Sequence, residues 1–229
     1  MKFINRLEML NMTNDSMLDL LMNAYDNQQR LSEILNNDSI SQAIHGVCES
    51  TSEIKIWIAK ALVFDYENEK AVDFLCELAN EEDADVRVEA IDSLSAFQSS
   101  KSYHTLCGAI CDPDELVRAY AAYGIAEVGK SISAADAINI LHKAALKEQS
   151  NRVLVNIYEG LYLLGESVAL DELMLLFQTD DYHVQCAILH CLAEVLSPQN
   201  QCIISTFINQ LDATQYPVAV SDTLLNMKV

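Results

Sequence analysis

Proline and glycine are scarce in this sequence: three prolines and six glycines occur among 229 residues. A β-protein of this length needs many residues that favour turns, so the scarcity argues against an all-β fold. Leucine, alanine, methionine and glutamate are abundant instead, and these residues favour helices. The composition therefore predicts an all-α protein, in which the apolar half of the residues is available to form a core.

Positive charge is also scarce, because 14 lysines and arginines face 34 aspartates and glutamates, for a formal net charge of −20. Nucleic-acid binding draws most of its affinity from basic side chains on phosphates, so this balance argues against a nucleic-acid partner. An anionic membrane surface is disfavoured for the same reason. A basic protein or peptide is the partner that such a field attracts, although negative charge can also serve solubility alone.

Long apolar runs are missing as well, and none approaches the length needed to span a bilayer. The first residues have no uninterrupted apolar segment behind Lys2 and Arg6, which argues against a signal peptide. The seven cysteines are odd in number and lie mostly within apolar helical patterns, which indicates free thiols in a reducing compartment and predicts a cytoplasmic protein. They are Cys48, Cys76, Cys107, Cys111, Cys186, Cys191 and Cys202.

An apolar residue recurs at nearly constant spacing from residue 54 onward, and another apolar residue follows each one eight positions later. The intervals are 32, 31, 36 and 31 residues, and a longer first helix at residues 134–147 absorbs the longer interval. Apolar residues at three- and four-residue spacing are typical of helices with one buried face. The leading residues are Ile54, Val86, Val117, Val153 and Val184, and their followers are Leu62, Leu94, Ile125, Leu161 and Leu192.

A single helical hairpin of this size cannot bury its own apolar stripe, whereas stacking on the next hairpin buries it. The period therefore predicts one domain of stacked hairpins over residues 1–229. Regular repeats occupy residues 49–196, atypical capping helices residues 1–48, and a capping repeat residues 197–229. The predicted stripes of the first helices include Ile138, Ile140 and Leu141 in one hairpin and Ile203, Ile204 and Phe207 in the last.

A turn rich in aspartate, followed by valine and arginine and then by small residues, begins two of the second helices. It is formed by residues 83–90 and, more fully, by Asp112, Pro113, Asp114, Val117, Arg118, Ala121, Ala122 and Gly129. This pattern resembles the HEAT repeat in its phycobilisome-lyase-like variety. The resemblance implies a right-handed α-solenoid of about five to six hairpins, whose second helices line a concave surface. It also implies that Arg87 and Arg118 pair with an aspartate of a neighbouring repeat.

Three kinds of enzyme share this repeat architecture. The lyase-like members attach or isomerise a chromophore, and only the repeat variety links this chain to them. The iron-binding members use His-Glu dipeptides, which this sequence does not contain. The DNA glycosylases need a basic concave face, whereas the second helices here carry acids. No glycine-rich phosphate loop or nucleophile elbow is present either, so we expect no enzymatic activity and no cofactor.

One helix carries side chains of the types that bind zinc. His183, Cys186 and His190 are spaced so that they share a helix face, and Cys191 is adjacent to the last of them. The set lacks the short-loop spacing of structural zinc sites, and Cys186 stands where the other repeats have an apolar residue. Cys107 and Cys111 are likewise neighbours one helical turn apart. Packing is the expected role of these cysteines, and no metal site is predicted.

Superposition of the repeats indicates which side chains of the second helices face the groove, because those positions fall between the apolar ones. The predicted surface is acidic, with aromatic residues set into it, and such a surface suits arginine and lysine side chains. The alternative is an ordinary solvated helix face. The predicted partner-binding residues are Trp57, Glu89, Asp92, Tyr120, Tyr123, Glu127, Glu159, Tyr162, His190 and Glu194.

The turns within the hairpins carry a second set of acids, which would line up as a negative ridge in a stack. Helix capping accounts for most of these carboxylates, since aspartate before a helix accepts free backbone N–H groups. Capping does not account for Glu81 and Glu82. Glycines such as Gly129 and Gly165 are expected at helix ends.

These observations predict a non-catalytic protein-binding module with a basic protein partner. A bacterial immunity or antitoxin-like protein is the sharpest form of this hypothesis, because nuclease toxins have basic, phosphate-seeking sites that a small acidic protein can cover. A lyase-like or chromophore-handling enzyme and a general assembly scaffold remain as alternatives. An enzyme of that type would need a deep pocket and a reactive, partly exposed nucleophile such as a cysteine.

Overall fold

The computed structural model describes residues 12–45 and 51–227, which form α-helices joined by short turns, without a β-strand. The chain divides into two compact units, Met1–Ala134 and Ala135–Val229. No helix in the described ranges is long and apolar enough to cross a membrane. This architecture confirms the all-α class and the succession of helical hairpins, while the handedness of the superhelix and the single domain stay predictions.

The helices of the first unit alternate between two layers. In the described residues they are α1 (Asn14–Asp26), α2 (Leu31–Ile34), α3 (Asn37–His45), α4 (Ser52–Leu62), α5 (Glu69–Leu78), α6 (Ala84–Leu94), α7 (Ser100–Ala109) and α8 (Glu115–Ile132). Helices α1, α4, α6 and α8 pack side by side in that order, and they form one layer. Helices α3, α5 and α7 form the other layer. We call the layer that contains the predicted second helices α4, α6 and α8 the inner layer.

The second unit repeats this arrangement. Its helices are α9 (Ala134–Ala145), α10 (Asn151–Leu163), α11 (Val168–Leu176), α12 (Tyr182–Glu194), α13 (Gln201–Gln210) and α14 (Val218–Met227), with a 3-10 turn at Ala213–Gln215. Helix α12 packs against α10 and α14, and α11 packs against α10. One continuous apolar cluster fills the space between these helices; it includes Leu173, Phe177, Ile188, Leu192 and Leu224.

The leading and following apolar positions are the core of each repeat. All ten of the predicted residues are buried, from Ile54 at 2% exposure to Leu192 at 0%. The first helices agree less completely with the predicted stripes. Ile138 and Ile140 are only half-buried, and Ile203 is 50% exposed while its neighbour Ile204 is buried. The last hairpin has no following hairpin among the described residues, and Ile203 faces outward from its first helix.

Aspartates begin the second helices in the predicted way, with one shift of position. The side chains of Asp83 and Asp181 accept the backbone N–H groups of Asp85 and His183. In the central repeat Asp114 is the capping residue, because it accepts from the N–H groups of Leu116 and Val117. Asp112, which also precedes this helix, instead accepts from the N–H of Asp114 at 2.9 Å.

The two glycines expected at helix ends differ in their positions. Gly165 follows α10 with a φ of +103°, a conformation that glycine adopts without strain. Gly129 lies inside α8, which continues to Ile132, so the prediction for this glycine was wrong.

Ion pairs connect successive repeats at the start of the second helices. Arg87 of α6 donates two hydrogen bonds of 2.9 Å to the carboxylate of Asp112, and it also donates to the carbonyl oxygens of Glu81 and Glu82. Lys55 stands at the same repeat position in α4, and its ammonium lies 2.8 Å from Glu81. The role that the resemblance implied for Arg87 is therefore confirmed.

Two further contacts belong to this edge of the repeats. In the second unit the guanidinium of Arg152 lies 3.9 Å from Asp181. Arg118 donates to the carbonyl oxygens of Asp112 and Pro113, which close its own turn. Carboxylates of the predicted acidic ridge thus pair with cations, and Glu81, which capping could not explain, is held by Lys55. Much of the ridge serves to join repeats.

Replacing Arg87 by methionine should destabilise the protein by about 2–3 kcal/mol, because it leaves the mostly buried Asp112 carboxylate without its partner. The matched variant Arg152→Met removes a longer and half-exposed pair and should lose less than about 1 kcal/mol. Urea unfolding of both variants measures the difference. Equal losses of stability in the two variants would contradict the role of Arg87 in joining neighbouring repeats.

The pair of Arg87 and Asp112 should also make the stability of the protein depend on pH. Burial alone would raise the pKa of Asp112, but the bonds from Arg87 and from the N–H of Asp114 outweigh burial and hold this pKa below its ordinary value. The pair therefore contributes stability above the ordinary carboxyl pKa, and this contribution disappears as pH falls through the lowered pKa. The difference in the free energy of unfolding between wild type and Arg87→Met should therefore become smaller in acid, and urea unfolding at several pH values measures it.

Gly124 permits a close approach of helices that alanine would prevent. A Cβ atom at this position would lie 2.7 Å from Cδ2 of the fully buried Leu106 and 3.3 Å from Cβ of Ser95. Gly124→Ala should therefore destabilise the protein by about 1–2 kcal/mol, because the core must shift to make room. The control Gly108→Ala places its Cβ in open space within a helix and should be neutral or stabilising by up to about 1 kcal/mol. Thermal unfolding of the two variants in parallel decides between these outcomes.

Candidate functional site

Three successive helices of the inner layer bring together four of the predicted binding residues. Trp57 lies on α4, Glu89 and Asp92 lie on α6, and Tyr120 lies on α8. Because residues three apart share a helix face, Lys60 of α4 lies beside Trp57, as Asp92 lies beside Glu89. We refer to these five residues as the acidic–aromatic site.

Lys60 occupies the centre of this site. Its ammonium lies 4.8 Å from the centroid of the Trp57 ring, which is the geometry of a cation–π contact. The same ammonium lies 3.5 Å from a carboxylate oxygen of Glu89. Both side chains of this ion pair keep partial contact with solvent, with 30% of Lys60 and 21% of Glu89 exposed. The site therefore already holds one cation between a ring and a carboxylate.

Further rings support Trp57 from the neighbouring inner helix. The ring of Tyr25, on α1, meets Trp57 edge-on at 5.8 Å between centroids. Tyr25 also contacts the ring of Phe64 at 5.7 Å. An edge-to-face pair such as that of Tyr25 and Trp57 fixes the orientation of an aromatic ring beyond what burial alone does. The face of Trp57 that carries Lys60 is thus held in place by its neighbours.

The carboxyl groups of the site are harder to ionise than ordinary ones. Burial raises the pKa of Glu89, while Lys60 lowers it and Asp92 raises it further. Burial also raises the pKa of Asp92, against the opposing effect of Lys60. The side chain of Asp92 is nevertheless exposed to solvent. A carboxyl group that is open to water on one side and surrounded by protein on the others has both properties.

Tyr120 senses the same negative charge. It is 39% exposed, and its pKa is raised by burial, by Asp92 and by Glu89. The phenol therefore lies within the field of both carboxylates and stays protonated, so its hydroxyl can donate a hydrogen bond. With one lysine against two carboxylates, the acidic–aromatic site keeps an excess of negative charge when those carboxyls are ionised.

Two more predicted residues lie further along α8 in the first unit. Tyr123 and Glu127 are both half-buried and follow Tyr120 by three and seven positions. They share its side of the helix by spacing. Their part in binding stays a prediction.

The other predicted residues belong to the second unit, where one of them corrects the sequence interpretation. Glu159 was expected to face the groove, but its side chain is only 5% exposed. It lies on α10, which packs against α12, and it forms a hydrogen bond with the thiol of the buried Cys191. The repeat position that faces solvent in other repeats here faces the neighbouring helix.

The remaining three residues of this set are accessible to different degrees. Tyr162 is half-buried, and its hydroxyl accepts a hydrogen bond of 2.7 Å from the side-chain amide of Asn200. His190 and Glu194 are exposed on α12. Asn200 in turn donates to the carbonyl oxygen of Val195, so Tyr162 serves in part to hold the end of α12.

Sequence comparison among the repeats missed two contributors to the acidic–aromatic site. Tyr25 lies in the N-terminal part, where the period is too faint to place a side chain against α4. Lys60 stands at the same repeat position as the predicted residues Asp92 and Tyr123, but it was not itself predicted as a binding residue. The signal that could have identified it is its three-residue spacing from Trp57, the one tryptophan of the sequence.

The cysteines are more exposed than the apolar patterns predicted. Cys191 is buried, but Cys111 and Cys202 are exposed and the other described cysteines are intermediate. Cys48 lies outside the described residues. Burial raises the pKa of Cys76, Cys186 and Cys191, so these thiols are poor nucleophiles.

The candidate metal ligands are not gathered into a site. In residues 12–45 and 51–227, no group of three or more histidine, cysteine or acidic side chains is placed to hold a metal ion. His183 and His190 are exposed, and Cys186 is half-buried. The ring of His183 lies against Tyr182 at 3.9 Å between centroids.

Two cavities can be considered as the pocket that an enzyme would need. One of about 760 Å³ in the first unit is lined by residues that include Cys76 and Lys101, and a smaller one of about 290 Å³ lies in the second unit. Its wall includes His142, Tyr158, Glu166 and Glu172. His142 lies 3.8 Å from Glu166 at the exposed rim, and the pKa of Tyr158 is raised by burial and by Glu172. None of the described cysteines lines it.

Comparison with protein families now identifies the repeats. The family model for HEAT repeats matches residues 38–126 and again residues 105–193, which together span more than half of the chain. The chain belongs to the HEAT-repeat family. The sequence resemblance is thereby confirmed, and the matched region contains the whole acidic–aromatic site. HEAT repeats form stacked helical scaffolds, which supports a general role in protein binding.

No curated protein sequence matches this chain. Among solved structures, the complex of CpcE and CpcF of phycocyanin lyase from Nostoc sp. PCC7120 is similar at 15% identity and a TM-score of 0.53, covering 95% of this chain and 94% of that one. An engineered protein is 18% identical with a TM-score of 0.47, covering 82% of this chain and 93% of its own. At these identities the likeness concerns the fold of the HEAT repeats alone.

Thiol labelling tests the reactivity that the exposure of the cysteines predicts. In the native protein iodoacetamide should modify Cys111 and Cys202 first, because they are exposed, and Cys191 only after unfolding. Mass mapping of the modified cysteines at several times follows the order. A thiol that reacts faster than free cysteine at pH 6 would contradict this expectation, since it would reveal an activated nucleophile.

Proposed function

We propose that this chain is a non-catalytic protein-binding module, and that its acidic–aromatic site binds a basic segment of another protein. The observation that carries the proposal is the convergence of Trp57, Glu89, Asp92 and Tyr120 from three successive inner helices. Aromatic rings beside carboxylates provide both faces that a lysine or arginine side chain uses. Aromatic anchors in a partly desolvated depression are also typical of the residues that dominate binding energy.

The electrostatics of the site support a positively charged partner. The carboxyls of Glu89 and Asp92 have raised pKa values because the surrounding protein removes part of their hydration. An incoming cation would restore the lost stabilisation of the two ionised groups. At longer range the net charge of −20 attracts a basic protein and speeds its association.

The repeat family supports the general class of this function. Stacked HEAT repeats offer an extended surface on which a partner can lie. In the similar solved structure from Nostoc, CpcE and CpcF form a complex with each other. An assembly scaffold and a lyase-like enzyme use the same fold, and the absence of an activated thiol in the labelling experiment would favour binding over catalysis.

The sharper form of the proposal is an immunity or antitoxin-like role. The basic partner would then be a nuclease, whose phosphate-binding surface the acidic–aromatic site covers. Support for it comes from the size and negative charge of the chain. Protection of RNA or DNA from the captured partner by the purified protein would distinguish this role from that of a scaffold.

Charge reversal within the site tests the proposal. The double variant Glu89→Lys/Asp92→Lys should weaken partner binding by about tenfold or more, because it places cations where a basic partner docks. The control Glu33→Lys/Glu77→Lys changes the net charge equally at exposed positions on α2 and α5. Proteins captured from native cells on each immobilised variant are quantified by mass spectrometry at low and moderate salt.

The expected partner is basic, is retained by wild type and by the control, is lost from the site variant, and elutes as salt screens the charges. Equal retention by all three proteins would overturn the proposal. So would a partner set whose members are acidic or neutral.

A further inference from the structure

We propose that Lys60 is an internal occupant of a site for an arginine side chain, and that a basic partner displaces it on binding. This inference rests on the proposed function and goes beyond it, because it names the side chain that is recognised and a residue that limits affinity. The site is the space between the face of Trp57 and the carboxylates of Glu89 and Asp92. The ligand class is a guanidinium group carried by a peptide or protein.

The position of Lys60 shows that this space accepts a cation. Its ammonium lies 4.8 Å from the Trp57 centroid and 3.5 Å from Glu89, so one positive group contacts ring and carboxylate together. These are the two contacts that a cation from another molecule would make. Lys60 therefore occupies the position of the ligand's cation and makes the same two contacts from within the chain.

The hold on Lys60 is weak enough for exchange. The 3.5 Å separation from Glu89 is longer than the 2.7–2.9 Å of a strong charge-assisted hydrogen bond. About a third of the lysine side chain is exposed, so it can swing into solvent on its four-carbon stem. By contrast, Lys55 on the same helix lies 2.8 Å from Glu81 and is 17% exposed. The two lysines of α4 thus differ in role: Lys55 joins two repeats, whereas Lys60 can be exchanged for another cation.

Several features of the site favour guanidinium over ammonium. A planar guanidinium stacks on an aromatic ring and is less strongly hydrated, whereas the lysine ammonium acts as a point charge. The N–H groups of a guanidinium can also contact two acceptors at once. The site offers carboxylates of Glu89 and Asp92 on one helix, and the field of both reaches the Tyr120 phenol on the next. An arginine could therefore bind the ring and both acids, while Lys60 is placed against the ring and Glu89.

Displacement has a consequence that can be measured. As long as Lys60 competes for Trp57 and Glu89, a partner must first break its two contacts. A methionine at this position keeps an apolar stem beside the ring and removes the competing charge. Lys60→Met should therefore bind an arginine ligand more tightly, by about five- to tenfold, the combined value of an exposed ion pair and a cation–π contact.

The experiment titrates hexa-arginine peptide into the protein by isothermal titration calorimetry, which detects binding anywhere on the chain. Tryptophan fluorescence is followed in parallel, since Trp57 is the one tryptophan of the chain and reports directly on the site. Hexa-lysine and the uncharged isostere hexa-citrulline are titrated in parallel. The variants are Lys60→Met and the control Lys70→Met, which removes an equal charge from α5, where Lys70 lies 3.6 Å from Asp73. Circular dichroism verifies that both variants are folded.

We expect hexa-arginine to change Trp57 emission, to bind more tightly than hexa-lysine, and to gain affinity in Lys60→Met but not in Lys70→Met. Hexa-citrulline should not bind. Binding that leaves Trp57 emission unchanged, or an equal gain in both variants, would overturn the role of Lys60 while leaving a general acidic docking surface intact. A wild-type protein that binds neither cationic peptide would overturn the proposed function together with this inference.

Discussion

The constraint on which this fold depends is that no hairpin can bury its own apolar face. Leading residues such as Val86 and Val117 are completely buried, on helices α6 and α8, which pack side by side in the inner layer. Successive repeats must therefore keep one register, and charged contacts at their edges assist in this. The bond of Arg87 to Asp112 and that of Lys55 to Glu81 join neighbouring repeats at the same position. Apolar burial supplies the stability, and the ion pairs align the repeats.

The use of cations at these edges determines where negative charge remains. In an acidic chain, basic side chains that follow the leading residues are held by carboxylates of the next turn. Those turns are therefore partly neutralised, even though the sequence presents them as the densest runs of acid. On the inner layer Lys60 lies 3.5 Å from Glu89 and also lowers the pKa of Asp92, so one cation faces two carboxylates and an excess of negative charge remains. Negative charge therefore remains on the inner helices as well as on the turns.

The sequence was sufficient to predict the repeats and most of their core, because periodic burial leaves a periodic pattern. It also identified Trp57, Glu89, Asp92 and Tyr120 as neighbours on the inner layer, since Trp57, Glu89 and Tyr120 share one repeat position and Asp92 lies one helical turn after Glu89. It failed where a side chain depends on how two particular helices pack. Glu159 is buried against Cys191 because α10 packs closely on α12 there. Tyr25 reaches Trp57 from a helix that lies before the regular period begins.

The repeat pattern also bears on why a lysine stands at position 60. The equivalent positions in the next two repeats hold Asp92 and Tyr123, and their helices α6 and α8 pack in the same inner layer without a cation there. Packing of the inner layer therefore does not require lysine at this column. What distinguishes α4 is that Trp57 lies one turn earlier and Glu89 lies opposite, so that a cation can contact both. The local chemistry of a cation site, rather than the architecture of the repeat, accounts for Lys60.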